Sequence, residues 1–213
     1  MKTNTKPLII TAAVLVAVIV AGLVAFLVTR AQAPDPAAAA VVREDSHVLD
    51  DGGDGAVTVV EFLDFECEAC GAYYPVVEDL RQEYAGQITY VVRYFPLPGH
   101  FNSTHSAVAA EAAAQQGRFE EMYQRLFDTQ AEWGEAQESR AELFRSYAAD
   151  LGLDMTAYDA AVANPKTEQR VRADFDEGRA LGVGSTPTFF VNGQPLVIER
   201  WNDLETAIQA ALY

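Results

Sequence analysis

Cys67 and Cys70 are the only cysteines in this chain, and they stand three residues apart in Cys67-Glu68-Ala69-Cys70. A disulfide between them would close a very small loop and would constrain the unfolded chain little, so stability is a weak reason for the pair. Reversible thiol–disulfide chemistry is a stronger one. Zinc ribbons use the same spacing but need a second ligand pair. No further cysteine exists, and His47, His100 and His105 lack a ligand spacing, so neither a metal nor a bound cofactor is expected.

The segment before the pair, Val57 to Leu63, is β-branched and nearly continuous in apolar character, as a strand covered on both faces should be. A helix is expected from about Cys67 to Tyr84. Cys67 then lies at a helix N-terminus, where unpaired amides and the helix dipole favour thiolate over thiol. Cys70 lies one turn further in and is less exposed.

Glu61 sits among Val59, Val60, Phe62 and Leu63, six residues before Cys67. It reads either as a surface strand acid or as a buried one, which would be an anomaly in so apolar a strand. Glu66 and Glu68 flank the first cysteine and put negative charge beside its sulfur; with Ala69 they are the candidate tuning residues. Asp64 and Glu66 otherwise read as solvated or capping acids. His100 and His105 fit either packing at a helix entry or a minor part in the site. Trp133 and Trp201 read as core or groove walls. Far along the chain, Gly184-Ser185-Thr186-Pro187-Thr188 precedes a hairpin; taken alone, its Thr-Pro bond reads as an ordinary trans turn, since only about 5–6% of such bonds are cis.

The elements that must position these residues follow an α/β, all-α, α/β order. A second strand is expected at Gln87–Phe95, stopped by Pro96 and Pro98, which makes a strand–helix–strand unit with a parallel pair. Helical patterns follow at 103–116, 118–130, 140–151 and 166–181. Strand character returns at Thr188–Val191, and the Asn192-Gly193 turn leads into a second hairpin strand at 195–198. A last helix is expected from about Trp201 to Leu212. Residues 47–55 read as a loop. The domain is therefore assigned to 47–101 plus 183–213, interrupted by a helical insertion at 102–182.

The N-terminal part is of another kind. Leu8 to Val28 is an uncharged, almost wholly apolar run of 21 residues, about 31 Å as a helix, which matches the hydrocarbon core of a bilayer. Lys2 and Lys6 precede it, so residues 1–30 read as a cytoplasmic tip and single transmembrane anchor, with the rest extracytoplasmic. A cleaved signal peptide ending at Ala31-Gln32-Ala33 is the competing reading. Residues 31–46, rich in Ala and Pro, read as a tether. From Pro34 onward 12 basic residues face 31 acidic ones, a net −19, which excludes a nucleic-acid surface.

In combination, Glu61-Phe62-Leu63-Asp64-Phe65-Glu66-Cys67-Glu68-Ala69-Cys70, the segment Thr186–Gly193 and the helical insertion between them resemble the DsbA-like oxidoreductases of the thioredoxin superfamily. The stretch Phe95-Pro96-Leu97-Pro98-Gly99-His100 is similar to the membrane-anchored Gram-positive branch. The resemblance spans about residues 46–213. It implies a thioredoxin fold with a helical insertion, a cis Pro187 against the sulfur pair, and a Thr186 backbone open to an extended substrate. It also implies that Cys67 is the nucleophile and Cys70 the resolving sulfur, with Glu61 as a buried proton relay. Glu68-Ala69 departs from the Pro-His dipeptide common in strong oxidants, so a weaker oxidant is expected.

The expected function is donation of the Cys67–Cys70 disulfide to exported proteins with free thiols. A quinone-linked membrane reoxidase of the DsbB or VKOR type would be the partner. A reductase or isomerase using the same site, and a tethered peptide-binding chaperone without redox turnover, are the rival readings.

Overall fold

The computed structural model describes residues 41–213. The expected anchor at 1–30 and most of the tether lie outside these residues, and no described helix is long and apolar enough to cross a membrane.

A five-stranded sheet has the order β1-β3-β2-β4-β5. Its strands are β1 (His47–Asp50), β2 (Val57–Leu63), β3 (Ile88–Tyr94), β4 (Thr188–Val191) and β5 (Gln194–Leu196). β2 and β3 run parallel, joined through α1 (Glu68–Glu83). The other three pairings are antiparallel. Between β3 and β4 lie six helices: α2 (Ser103–Ala114), α3 (Phe119–Asp128), α4 (Gln130–Trp133), α5 (Ala141–Asp150), α6 (Met155–Ala163) and α7 (Pro165–Ala180). α8 (Asp203–Leu212) closes the chain. This is the thioredoxin fold with an all-helical insertion.

The two-residue period of β2 and β3 sorts their side chains onto two covered faces. Val57, Val59, Leu63, Ile88, Tyr90, Val92 and Tyr94 join the larger core, with Tyr73, Val77 and Leu80 of α1 and Leu204 and Ile208 of α8. Val60, Phe62, Val91 and Phe95 face the other way, where Phe175 of α7 covers them. α7 approaches so closely that a Cβ at Gly178 would stand 2.9 Å from the rings of Phe62 and Phe95. This second face also buries Arg93, whose guanidinium pairs with Asp174 at 2.5 Å and donates to the Val41 carbonyl at 2.6 Å. Asp174 also accepts the Tyr94 amide at 3.1 Å, so the buried charges of α7 and β3 satisfy one another.

Besides the short α4, which follows the helix expected at 118–130, two elements depart from the sequence reading. His47–Asp50 is an edge strand on β3, not a loop. His47 stacks on Phe119 with centroids 3.9 Å apart and meets Glu111 at 3.0 Å, so ring packing and tertiary pairing hold a segment of weak strand pattern. Met155–Ala163 is a helix capped by Asp154, whose carboxylate accepts the amides of Thr156 and Ala157. Its Ala-rich sequence buries little beyond Tyr158 and Ala161, and so carries almost no amphipathic signal.

Candidate active site

The sheet and α1 meet at the four residues Asp64–Cys67. Cys67 is the N-cap of α1, with φ −69° and ψ 121°, and its amide donates to the Asp64 carbonyl at 3.1 Å. No side chain caps the helix, so its first amides are available to the Cys67 sulfur. Both cysteines are free thiols here. Cys67 keeps 7% of its surface and Cys70 only 1%. The order of exposure is as expected, although Cys67 too is largely enclosed.

The two sulfurs are electrostatically unlike. The pKa of Cys67 is lowered from the ordinary 9.0 to about 6. The main cause is a hydrogen bond from the Cys70 thiol; the Thr186 side chain and the amides of Cys70 and Ala69 add to it, against the cost of burial. Cys70 is pushed well above 9.0 by burial first, then by its bond to Cys67 and the charge of Glu61.

The Thr186–Pro187 peptide bond is cis. Across 119 residues of sequence, the Thr186 carbonyl lies 3.5 Å from the Cys67 sulfur and accepts its hydrogen bond. In this dithiol form that carbonyl is therefore occupied by the site itself.

Glu61 is buried, on the β2 face that points toward α1, and accepts a short hydrogen bond from the Tyr90 hydroxyl. Burial raises its carboxyl from 4.5 to about 7, against the Tyr90 bond, with Glu78 and Cys67 charges adding to the rise. A carboxyl titrating near neutrality behind a sulfur of high proton affinity is suited to proton exchange.

Glu66 and Asp64 are corrections: both are about 1% exposed rather than solvated. One Asp64 oxygen accepts the Glu66 amide at 2.9 Å. The other accepts the Leu97 amide at 3.0 Å, the Ser103 hydroxyl at 2.5 Å and His100 Nδ1 at 2.7 Å. Glu66 accepts the Asn102 amide at 2.5 Å, so it fastens the insertion to the site instead of lying at its rim. Glu68 and Ala69 are exposed. Glu68 lies beside Glu135. Its own backbone amide and then Glu135 hold its pKa low, while Glu68 raises that of Glu135.

Gln130 of α4 was invisible to sequence reasoning. Its amide nitrogen donates to the carbonyls of Phe65 at 2.7 Å and Cys67 at 2.9 Å. Gly71 makes room for it, since a Cβ there would stand 2.0 Å from the Gln130 oxygen. Trp133 is fully buried, whereas Trp201 is 61% exposed and stacks on Tyr73 at 5.3 Å. Beside the sulfurs, Ala69, Tyr73, Pro187, Ile198 and Trp201 line an open groove of about 400 Å³. Among the described residues no cluster could hold a metal ion.

An unequal sulfur pair at a helix N-terminus, facing a cis Thr-Pro bond on a thioredoxin fold, defines a dithiol–disulfide site. The chain belongs to the thioredoxin family, whose family model matches residues 53–210. Among solved structures, a thioredoxin-like oxidoreductase of Silicibacter pomeroyi has a TM-score of 0.67 at 24% identity, covering 83% of this chain and 97% of that one. BdbD of Bacillus subtilis has 0.67 at 20%, covering 78% and 92%. The thiol-disulfide oxidoreductase MdbA of Corynebacterium diphtheriae has 0.63 at 20%, covering 76% and 89%. These likenesses are of fold. Among curated relatives, the Na(+)/H(+) antiporter NhaA 1 of Mycobacterium sp. (strain KMS) is 36% identical over 170 residues, or 76% of this chain. The chain spans only 26% of that antiporter's length.

Proposed function

We propose that the protein is an extracytoplasmic, membrane-anchored disulfide oxidase that donates the Cys67–Cys70 disulfide to exported proteins. The observation that carries this reading is the asymmetry of the sulfurs, with Cys67 lowered to about 6 and Cys70 raised well above 9.0. Stabilising the Cys67 thiolate stabilises the reduced form, which makes the disulfide a better oxidant and Cys67 a good leaving group.

In the oxidised protein a substrate thiolate attacks the Cys67 sulfur, and the Cys67–Cys70 bond breaks. Cys70 departs with the electron pair and takes a proton, which Glu61 supplies across the buried interior. The substrate's second thiolate then attacks its own bridged sulfur and expels Cys67 as thiolate. The substrate has lost two electrons to the cysteine pair. A quinone-linked membrane partner of DsbB or VKOR type would take up those electrons and restore the disulfide. The groove between Pro187 and Trp201, which Glu199 and Arg200 also line, suits an extended segment flanking the reacting cysteine.

Thiol trapping in intact cells tests the direction. A mostly oxidised Cys67–Cys70 pair is expected, and a mostly reduced pair would support a reductase or isomerase instead. A chaperone reading predicts that peptide binding survives replacement of both cysteines with no functional loss.

A further inference from the structure

The turn that carries Cys67 is fixed by Asp64, and the same residue holds a titratable ring. The Asp64 carbonyl takes the Cys67 amide at 3.1 Å, and its carboxylate takes His100 Nδ1 at 2.7 Å. Asp64 is buried, while the His100 side chain keeps 22% of its surface. With a carboxylate as acceptor, Nδ1 carries a hydrogen in either charge state, so Nε2 is the nitrogen that gains or loses the proton.

The charges around the ring are mostly negative. Asp64 and Glu66 reach it from the turn, and Glu68 and Glu135 act on it from the site's exposed rim. Glu168 and Arg172 of α7 line the shallow groove it shares with Pro96–Pro98. Arg172, the one cation in this set, stands 3.6 Å from Asp176. The remaining group is the sulfur of Cys67, which sits on the same turn: Asp64 holds the ring through its carboxylate and the Cys67 amide through its carbonyl.

We propose that His100, held on Asp64, is a positioning residue whose protonated ring stabilises the Cys67 thiolate, so that reduction of the disulfide is coupled to proton uptake at His100. This deepens the oxidoreductase reading and rests on it. The electrostatics agree in direction. Burial lowers the pKa of His100, but the hydrogen bond and charge of Asp64, then the charges of Cys67 and Glu66, together raise it above the ordinary 6.5. Coupling of this kind is reciprocal: if the cation stabilises the thiolate, the thiolate must hold the proton on the imidazole. A ring that merely packs against Asp64 would have no such dependence on redox state.

The test uses the full chain, in both redox states. Histidine NMR titration, with His100 assigned by loss of its signal in His100→Gln, is expected to show a higher pKa in the dithiol than in the disulfide form. His100→Gln retains a donor for Asp64 but no charge. Thiolate absorbance is expected to show about a threefold lower thiolate-to-thiol ratio at Cys67, the size of a partly solvent-screened charge. A threefold change corresponds to a disulfide about 14 mV less oxidising. Ser103→Ala removes another Asp64 donor without changing charge and is expected to leave the ratio as in the wild type. Identical His100 titration in the two redox states would overturn the proposal, as would equal losses in the Gln and Ala variants. If the wild-type pair fails to exchange with glutathione at all, the oxidoreductase reading itself falls; normal exchange with a redox-blind His100 overturns only the coupling.

Discussion

Replacing Glu61 with Gln should stabilise the reduced protein, and by an amount that grows with pH. The native carboxyl titrates near 7, against 4.5 when unperturbed, because burial disfavours its charged form. Between those values the folded protein binds more protons than the unfolded chain, so raising the pH destabilises it. The contribution of Glu61 is fully present below about 4.5 and is lost as pH rises through about 7. At about 1.4 kcal/mol per pH unit, the gap amounts to about 3 kcal/mol above neutrality. Glutamine has nearly the same shape, can still accept from Tyr90 and never ionises. Urea titrations of both proteins across pH 4.5 to 8 should therefore give similar stability at the acid end. At the alkaline end the variant should lead by about 3 kcal/mol, or a melting temperature roughly 6–12 °C higher for a domain of this size. A difference that stays flat with pH, or favours the wild type more as pH rises, would refute the buried-acid argument.

Three further outcomes bear on the chemistry. Replacing Cys70 with Ser removes the resolving sulfur, so substrates should accumulate as mixed disulfides on Cys67, detectable by nonreducing gels and peptide mapping; adducts on Cys70 in the Cys67→Ser protein would reverse the assigned roles. The Glu61→Gln protein should also turn over more slowly, because Cys70 loses its internal acid, and single-turnover kinetics across pH should lack the wild-type inflection near 7. Changing Glu68 to Gln removes an exposed negative charge beside Cys67, so the disulfide should become more oxidising by roughly 10 mV in a glutathione buffer, a small effect because water screens the rim.

Much of this site was legible in the sequence because its chemistry is written in local pattern. A nearly unbroken apolar strand, a C-x-x-C at its end and a Thr-Pro before a hairpin are short-range signals, and each element stands within a few residues of its expected position. The acids were harder. Glu61 stood out because it interrupts a strand apolar on both faces, whereas Asp64 and Glu66 lie beyond the strand's end, where acids are ordinarily solvated or cap a helix. Their burial depends on Leu97, Asn102 and Ser103 arriving from more than 30 residues away to satisfy them. Gln130 is fainter still, since nothing in its neighbourhood marks it as the side chain that reaches two carbonyls of the cysteine turn.

Those same contacts explain why the helical insertion belongs to the chemistry and is more than a cover. Asn102, at the entry to α2, donates its amide to Glu66, and its side chain accepts the Arg140 amide at 2.7 Å. That side chain also donates to the carbonyls of Ala136 and Glu138. Gln130 ties α4 to the carbonyls of Phe65 and Cys67. The geometry of the Cys67 turn is thus set from two directions, by the sheet through β2 and by the insertion through Asn102 and Gln130. A sulfur whose thiolate is stabilised by amides and by a neighbouring thiol needs that double support, because hydrogen bonds weaken steeply once angles depart from linearity. Loosening the insertion should therefore act on Cys67 first and on the distant core last, even though Cys67 and Cys70 both lie outside it.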